Sequence, residues 1–218
     1  MLQMIPTIYY CYDAYCGWCY GFSKVITKIA EEFKDLAFEV LSGGMIPVEF
    51  SKPIGRIAPY IKSEYKRVEE LTGVKFGQDY LWHIEHPDLS DWQPNSEKPA
   101  VALCIFKEYH PGQSVIMASD LQYALHYEGR DLTDDESYRA LLSRYNIPQL
   151  DFYTKLHSEE YKEKAKYEFA LVKQLQVNGF PSALMQVADT KFYLLSRGYS
   201  DYETFRERIE AVLKESNE

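Results

Sequence analysis

The sequence Cys16-Gly17-Trp18-Cys19 lies at the junction of two different secondary-structure patterns. Residues 7–14 are mostly apolar or aromatic and predict a strand buried on both faces, whereas apolar residues at 17–33 recur at helical spacing. Two cysteines three residues apart in the first turn of a helix lie on one face, so their sulfurs can meet. The first sulfur also lies near the unpaired N–H groups of the helix N-terminus, which favour a thiolate. The pattern predicts a disulfide-exchange site in which Cys16 attacks and Cys19 resolves.

Other interpretations of the cysteine pair stay open from the residues alone. The pair could form half of a zinc site, or it could be two reduced cysteines without a function. His83 and His86 have ligand-like spacing and could nominally complete a set of two cysteines and two histidines. Their spacing differs from that of a zinc finger, and Pro87 follows His86 directly. We therefore expect no metal.

Composition and charge restrict the possible partners. Of the 218 residues, 24 are Lys or Arg and 33 are Asp or Glu, which gives a formal net charge of −9 without any basic block. A nucleic acid or an anionic membrane would be repelled, so neither is expected as a partner. The first residues lack the basic and apolar regions of a signal peptide. We therefore expect a cytoplasmic protein, unless a leader has been removed, and since no nucleotide-binding motif occurs we expect no cofactor.

A second strand follows the first helix, and a long helical stretch follows that strand. Residues 37–42 predict a strand that ends at Gly43-Gly44, and the resulting β-α-β unit implies a parallel pair of strands. From residue 47 to 177 the alternation typical of strands nearly vanishes and helix signals follow one another. The predicted helices cover residues 54–71, 97–109, 113–128, 133–145 and 158–175, with a proline-rich loop at 82–99.

The strand pattern resumes near the end of the chain. Residues 179–187 and 191–195 predict two strands that pair as a hairpin. A capping box, Ser200-Asp201-Tyr202-Glu203, starts the last helix. The chain is therefore predicted to be an α/β protein of order β-α-β, helical insertion, β-β-α.

This order, with a CxxC sequence at the start of the first helix, resembles the plan of the DsbA-like thioredoxin fold. Residues 12–21, YDAYCGWCYG, look like the active-site segment of the FrnE-like branch of that family, which is typically D-P-x-C-P-W-C-Y-G. Residues 178–182, NGFPS, are similar to the G-x-P segment of the family, in which a cis-proline loop faces the dithiol. In outline the resemblance covers essentially the whole chain.

The resemblance implies a fold class and an activity. The fold would be α/β and thioredoxin-like, with a large all-helical insertion between the second and third strands. The expected units are a thioredoxin-like domain, residues 1–46 and 178–218, and a helical insertion domain, residues 47–177. The activity would be that of a protein disulfide oxidoreductase or isomerase that acts through a mixed disulfide on protein or small-molecule thiols and disulfides. The oligomeric state stays open, with a monomer favoured.

Four further residues enter the predicted site. Phe180 and Pro181 would hold the substrate strand, because the backbone before a cis-proline is free to pair with an extended peptide. Trp18 is either a substrate platform at the rim of the site or the first core residue of its helix. Asp13 is either a proton acceptor for the resolving thiol or a residue that forms the turn.

The chain also departs from its relatives. Gly17 stands where the FrnE-like branch commonly has proline, and neither Gly17 nor Trp18 supplies a cation or a ring N–H donor as the histidine of strongly oxidising DsbA proteins does. We expect a less oxidising couple than that of periplasmic DsbA, which lies at about −120 mV. The remaining thiols, Cys11 and Cys104, are expected to be buried and to behave as small apolar side chains.

Two alternative functions remain. Kappa-class glutathione transferases and hydroxychromene carboxylate isomerases share the outline of this fold, but they use a lone serine at the position of Cys16 and have no resolving thiol. The presence of both thiols argues against this glutathione-dependent activity. The second alternative is a binding module without redox activity, in which the CxxC sequence holds a metal or the protein binds a peptide.

Overall fold

A single four-stranded sheet forms the centre of the computed structural model, which describes residues 5–216. Residues 1–4 and 217–218, which the predicted domains include, lie outside the described residues. The strands are β1 (Thr7–Tyr12), β2 (Ala37–Ser42), β3 (Ser182–Ala188) and β4 (Lys191–Arg197). Their order across the sheet is β2-β1-β3-β4.

The strand register brings three chain segments to one edge of the sheet. β1 pairs in parallel with β2, so Tyr12 lies opposite Ser42 where both strands end. β1 pairs antiparallel with β3, so Cys11 lies opposite Ser182 where β3 begins. The end of β1, the end of β2 and the start of β3 therefore meet at the same edge. This edge carries both the CxxC sequence and the Gly-Phe-Pro loop.

Helices α1 (Gly17–Glu32) and α9 (Tyr202–Ser216) bury apolar side chains in the main core. The α1 residues Phe22, Ile26 and Ile29 are completely buried, as the helical spacing predicts. The Phe22 ring meets the ring of Phe205 on α9 edge to face, with the centroids 5.2 Å apart. This packing fixes α1 on the sheet and with it the position of the cysteines in its first turn.

All regular secondary structure between β2 and β3 is helical in the part of the chain that the structure describes, which confirms the predicted insertion. It contains short 3₁₀ turns and seven α-helices. These are α2 (Ala58–Thr72), α3 (Gln78–Glu85), α4 (Glu97–Tyr109), α5 (Ser114–His126), α6 (Arg139–Arg144), α7 (Gln149–Leu156) and α8 (Glu159–Gln174). None of the helices within residues 5–216 has the length and apolar character needed to cross a membrane.

The predicted loop at 82–99 begins too early, whereas the predicted helix at 97–109, which overlaps its end, is confirmed as α4. Trp82 belongs to α3, and Pro99 lies in the first turn of α4, where its missing N–H leaves no hydrogen bond unmade. Helix α7 was not expected at all. Its eight residues bury only Phe152 and Leu156, which is too short a stripe to stand out in the sequence.

Two of the predicted helix starts are displaced by one residue. Asp134, not Thr133, accepts the hydrogen bond that opens the turn Asp135–Tyr138, which is a 3₁₀ helix. The Asp201 carboxylate, not Ser200, accepts the N–H of Thr204 at the start of α9. In both places a carboxylate next to the hydroxyl residue takes the capping position.

A charged cluster fastens the insertion to the edge strand of the sheet. The Lys107 ammonium on α4 donates to Glu168 on α8 at 2.6 Å, to Glu39 on β2 at 2.7 Å and to the Val40 carbonyl at 2.9 Å. The other Glu168 oxygen accepts the Ser42 N–H at 2.9 Å. Burial alone would lower the pKa of Lys107, but Glu168 and Glu39 outweigh it and raise that pKa, so the ammonium stays charged.

Removing the charge of Glu168 should destabilise the fold. In Glu168→Gln, Lys107 loses its most buried anionic partner, so we expect the free energy of unfolding to fall by about 2 kcal/mol in urea titrations. Glu163→Gln is the matched control, because Glu163 lies on the same helix in an exposed pair with Lys166. Equal stability of the two variants would show that the cluster does not hold the insertion.

Candidate active site

Cys16 occupies the N-cap position of α1, at the end of a tight turn that follows β1. The Cys16 N–H donates to the Asp13 carbonyl at 3.1 Å and closes this turn. The Cys16 sulfur accepts the Cys19 N–H at 3.2 Å, so an unpaired donor of the first helical turn points at the sulfur. This is the arrangement that the spacing of the two cysteines predicts.

The two thiols have different environments. Both are free, but Cys19 is completely buried, whereas Cys16 is 6% exposed and lines a cavity. Burial, followed by the hydrogen bond with Cys16, raises the pKa of the Cys19 thiol well above its usual value. Cys19 therefore keeps its proton at neutral pH, and the accessible sulfur is that of Cys16.

The Gly-Phe-Pro loop lies directly across from Cys16. The Phe180–Pro181 peptide bond is cis, and the Phe180 carbonyl is 3.5 Å from the Cys16 sulfur. The loop reaches this position because β3 begins opposite the end of β1. The structure thus brings together residues that are about 160 positions apart in sequence.

Gly43 makes room for the Phe180 ring. A Cβ atom at Gly43 would lie 1.9 Å from the Cζ atom of Phe180, and the Gly43 N–H donates to the Tyr12 carbonyl at 2.7 Å. The next residue, Gly44, has a φ of +65° and lies under the ring of Phe169. The sequence indicates that β2 ends at the glycine pair, at the edge of the sheet beside the CxxC sequence, but nothing local indicates an aromatic ring from the loop before β3.

Asp13 is buried and forms hydrogen bonds with three segments. Its carboxylate accepts the Tyr15 N–H at 3.0 Å, the Ser96 hydroxyl at 3.0 Å and the Met45 N–H at 2.8 Å. Burial raises the pKa of Asp13, and these donors counteract the rise. The bond to Tyr15 forms the turn that one interpretation predicts. After burial and the effect of Cys16, the charge of Asp13 also contributes to the raised pKa of Cys19.

A cavity of about 370 Å³ opens beside Cys16. Trp18 lies at its edge, where the indole ring packs against Tyr199 at 6.4 Å and faces the Arg67 guanidinium at 5.8 Å. Trp18 is partly buried and packs against the core while it lines the cavity, so its position is compatible with either predicted role. Most of the other lining residues are aromatic or aliphatic, among them Met45, Ile61, Tyr65, Phe76, Tyr80 and Phe180.

The two cysteines and two histidines that could nominally bind zinc do not form a cluster. The His83 ring hydrogen-bonds to Ser90 at 2.8 Å and stacks on Trp92 at 3.9 Å. Within residues 5–216, no three His, Cys, Asp or Glu side chains are placed to share a metal ion. The cysteine pair therefore has no histidine partner in the part of the chain that the structure describes.

The sequence profile of the DSBA-like thioredoxin domain matches residues 7–210, which include both cysteines and the Gly-Phe-Pro loop. The chain belongs to this family. The predicted DsbA-like relationship and the thioredoxin-like fold with its helical insertion are thereby confirmed. No curated protein sequence matches the chain significantly.

Several solved structures superpose on nearly the whole chain. A candidate protein disulfide isomerase from Nitrosomonas europaea is 22% identical, with a TM-score of 0.82 over 97% of this chain and 99% of its own. The cytosolic disulfide reductase DsbM from Pseudomonas aeruginosa is 24% identical, with a TM-score of 0.76 over 95% and 98%. A 2-hydroxychromene-2-carboxylate isomerase reaches 0.67 at 13% identity over 97% and 98%. At these identities the superpositions concern the fold.

The other two cysteines of this DsbA-like chain are buried in the fold. Cys11 is the next-to-last residue of β1, in a small apolar cluster against which Phe180 packs, and Cys104 is in α4. Burial raises the pKa of Cys11 to about 12, and burial with the charge of Glu168 raises that of Cys104 further. Neither thiol lines the cavity beside Cys16. Both are buried, as the sequence predicts.

Gly43→Ala should perturb the substrate loop without disturbing the fold. The added methyl group must displace the Phe180 ring, so we expect the KM for a disulfide substrate to rise about fivefold to tenfold while the melting temperature falls by only a few degrees. Gly55→Ala is the matched control, since its Cβ would have an ordinary contact with Pro87 at 3.4 Å. An unchanged KM in Gly43→Ala would mean that the position of the Phe180 ring does not affect substrate binding.

Proposed function

We propose that the protein is a thiol–disulfide oxidoreductase in which Cys16 attacks and Cys19 resolves. The observation that carries the proposal is the contrast between the two sulfurs. Cys16 faces the cavity and receives a helix N–H, whereas Cys19 is sealed beneath it with a raised pKa. An accessible nucleophile and a protected second thiol are what a two-step exchange requires.

The reaction follows from these positions. The Cys16 thiolate attacks one sulfur of a substrate disulfide, so a mixed disulfide forms and the other substrate sulfur leaves as a thiolate. Cys19 then loses its proton and attacks the Cys16 sulfur, which forms the Cys16–Cys19 bond and releases the second substrate thiolate. The substrate gains two electrons that the dithiol loses. The reverse reaction oxidises a substrate dithiol.

Asp13 is proposed as the acceptor of the Cys19 proton. Burial raises the pKa of Asp13, which brings its basicity closer to that of a group able to take a thiol proton. Its charge contributes to the raised pKa of Cys19, which supports the proximity that a proton transfer needs. This role adds to the structural role of its hydrogen bonds.

Phe180, Pro181 and Trp18 are proposed as the substrate-binding residues. The Phe180 carbonyl lies 3.5 Å from the Cys16 sulfur, so a peptide next to this carbonyl would present its disulfide to the nucleophile. Trp18 borders the cavity on the other side of Cys16, where a flat apolar ring suits the flank of a bound substrate.

Glutathione is proposed as the small-molecule partner. The P. aeruginosa DsbM, which is 23% identical over 95% of this chain, has also been solved with GSH at a TM-score of 0.74. A cavity of about 370 Å³ next to Cys16 is large enough for such a tripeptide. We further propose that the protein acts in the cytosol, the compartment named for DsbM. We also propose that the protein belongs to the FrnE-like branch. We propose two structural units, a thioredoxin-like domain of residues 1–46 and 178–218 and a helical insertion domain of residues 47–177.

Reduction of insulin disulfides with dithiothreitol as the electron donor tests the assigned roles. Wild type should accelerate insulin precipitation, and Cys16→Ser should reduce the rate to the uncatalysed level, because it removes the attacking sulfur. Cys104→Ala is the matched control, since it removes a buried thiol outside the cavity. Equal activity of Cys16→Ser and wild type would refute the oxidoreductase proposal, and bound zinc on the cysteines would favour the metal-binding alternative.

The resolving step has its own test. Cys19→Ser keeps the nucleophile and removes the second thiol, so incubation with oxidised glutathione should leave one glutathionyl group on Cys16. Mass spectrometry of the intact protein and of its peptides would detect the adduct. Wild type should lose the adduct again and form the Cys16–Cys19 bond. If Cys16→Ser formed a glutathione adduct on Cys19 as fast as Cys19→Ser forms one on Cys16, the assignment of the two roles would be wrong.

A further inference from the structure

Two side chains of α5 reach the turn that presents Cys16. Gln122 and His126 are one helical turn apart on α5, and both are fully buried, with at most 1% exposed. The Gln122 Nε2 group donates to the Asp13 carbonyl at 3.2 Å. The Nε2 atom of His126 lies 3.2 Å from the Ala14 carbonyl. Both contacts join the helical insertion to the backbone just before the CxxC sequence.

The Asp13 carbonyl is shared by two donors. It accepts the Cys16 N–H at 3.1 Å, the bond that closes the turn, and it also accepts the Gln122 side chain. The next carbonyl, that of Ala14, accepts only from His126 among the hydrogen bonds of the described residues. The two α5 donors therefore form hydrogen bonds with two consecutive peptide groups of the turn that precedes Cys16.

The surroundings of His126 fix its protonation. Its ring stacks on Tyr20 at 5.1 Å and meets the edges of Tyr80 at 5.0 Å and Phe76 at 5.5 Å. Burial lowers the pKa of His126 to about 3, so the ring is neutral at physiological pH. Because Nε2 faces a carbonyl oxygen, the single ring proton must lie on Nε2. His126 is thus a fixed donor and takes no part in proton transfer.

Gln122 and His126 each destabilise the fold in a way that an apolar side chain at the same position would not. The Gln122 Oε1 and His126 Nδ1 atoms are buried and lack a hydrogen-bond partner among the described residues. A buried acceptor without a partner is destabilising, and apolar side chains of similar shape would avoid this loss. What Gln122 and His126 supply, and an apolar residue does not, is one N–H donor each to the active-site turn.

We propose that Gln122 and His126 are positioning residues for the thiol–disulfide exchange. They bind the Asp13 and Ala14 carbonyls of the turn whose closing hydrogen bond is the Cys16 N–H to Asp13, and so they keep Cys16 at the cavity. The inference rests on the proposed role of Cys16 as the nucleophile. It makes α5, a helix of the insertion, part of the redox site.

Two shape-conserving variants remove the donors. Gln122→Met and His126→Phe keep the volume of the side chains and their apolar contacts, but they leave the turn without an N–H partner from α5. We expect each to lower the rate of Cys16 alkylation by iodoacetamide about fivefold to tenfold and to shift the Cys16–Cys19 reduction potential, with the circular dichroism spectrum unchanged. His126→Gln, which can return an N–H donor to Ala14, should restore most of the rate.

Tyr123→Phe is the matched control, because Tyr123 lies on the outer face of α5 with 41% of its surface exposed. Folded Gln122→Met and His126→Phe proteins with the rate and potential of Tyr123→Phe would overturn the inference. If one of the two variants does not fold, the other decides, since each removes a donor of its own. Loss of wild-type insulin reduction, or retained activity in Cys16→Ser, would instead refute the proposed function, so the two failures are distinguishable.

Discussion

The buried carboxylate of Asp13 is the constraint on which the active-site end of the sheet depends. A carboxylate without water is costly unless donors surround it, and here the donors come from the turn itself, from the segment after β2 and from the residue before α4. Three chain segments must therefore converge for the charge to be tolerated. The same residue gives its backbone carbonyl to the Cys16 N–H, so the convergence also sets where the nucleophile lies.

The helical insertion contributes to the site as much as the sheet does. α2 and the segment that carries Phe76 form one wall of the cavity, and α5 provides the donors behind the active-site turn. α4 and α8 hold the edge strand through Lys107 and Glu168. Gly43 directly follows β2 and makes room for the Phe180 ring. The charged cluster on β2 and the Gly-Phe-Pro loop are therefore connected by a few residues of backbone. The fold thus leaves the sulfur of Cys16 facing the cavity, while Cys19 and Asp13 are buried behind it.

Those parts of the fold and site that depend on neighbours in sequence could be predicted. The CxxC sequence, the strand before it and the helix after it form a local pattern, and the stop of α2 at Gly73 is a local signal as well. The contacts of Gln122 and His126 with the active-site turn and of Glu168 with Ser42 span more than 100 residues, so no periodicity or spacing indicates them. The displaced caps at Asp134 and Asp201 show a different limit, because adjacent residues with similar capping ability compete for one position. The glycine pair at Gly43 indicates the end of a strand, but the sequence does not indicate that an aromatic ring from a distant loop packs against it.

We propose that Cys16 and Cys19 form a working dithiol whose reduction potential is set by the helix N-terminus, without a contribution from the two residues between the cysteines. Equilibration of the protein in buffers of reduced and oxidised glutathione, with alkylation and peptide mass spectrometry to follow the Cys16–Cys19 bond, tests this directly. We expect a single two-electron transition at a potential clearly below the value of about −120 mV that is typical of DsbA. A potential as high as that value, or no Cys16–Cys19 bond at any glutathione ratio, would contradict it.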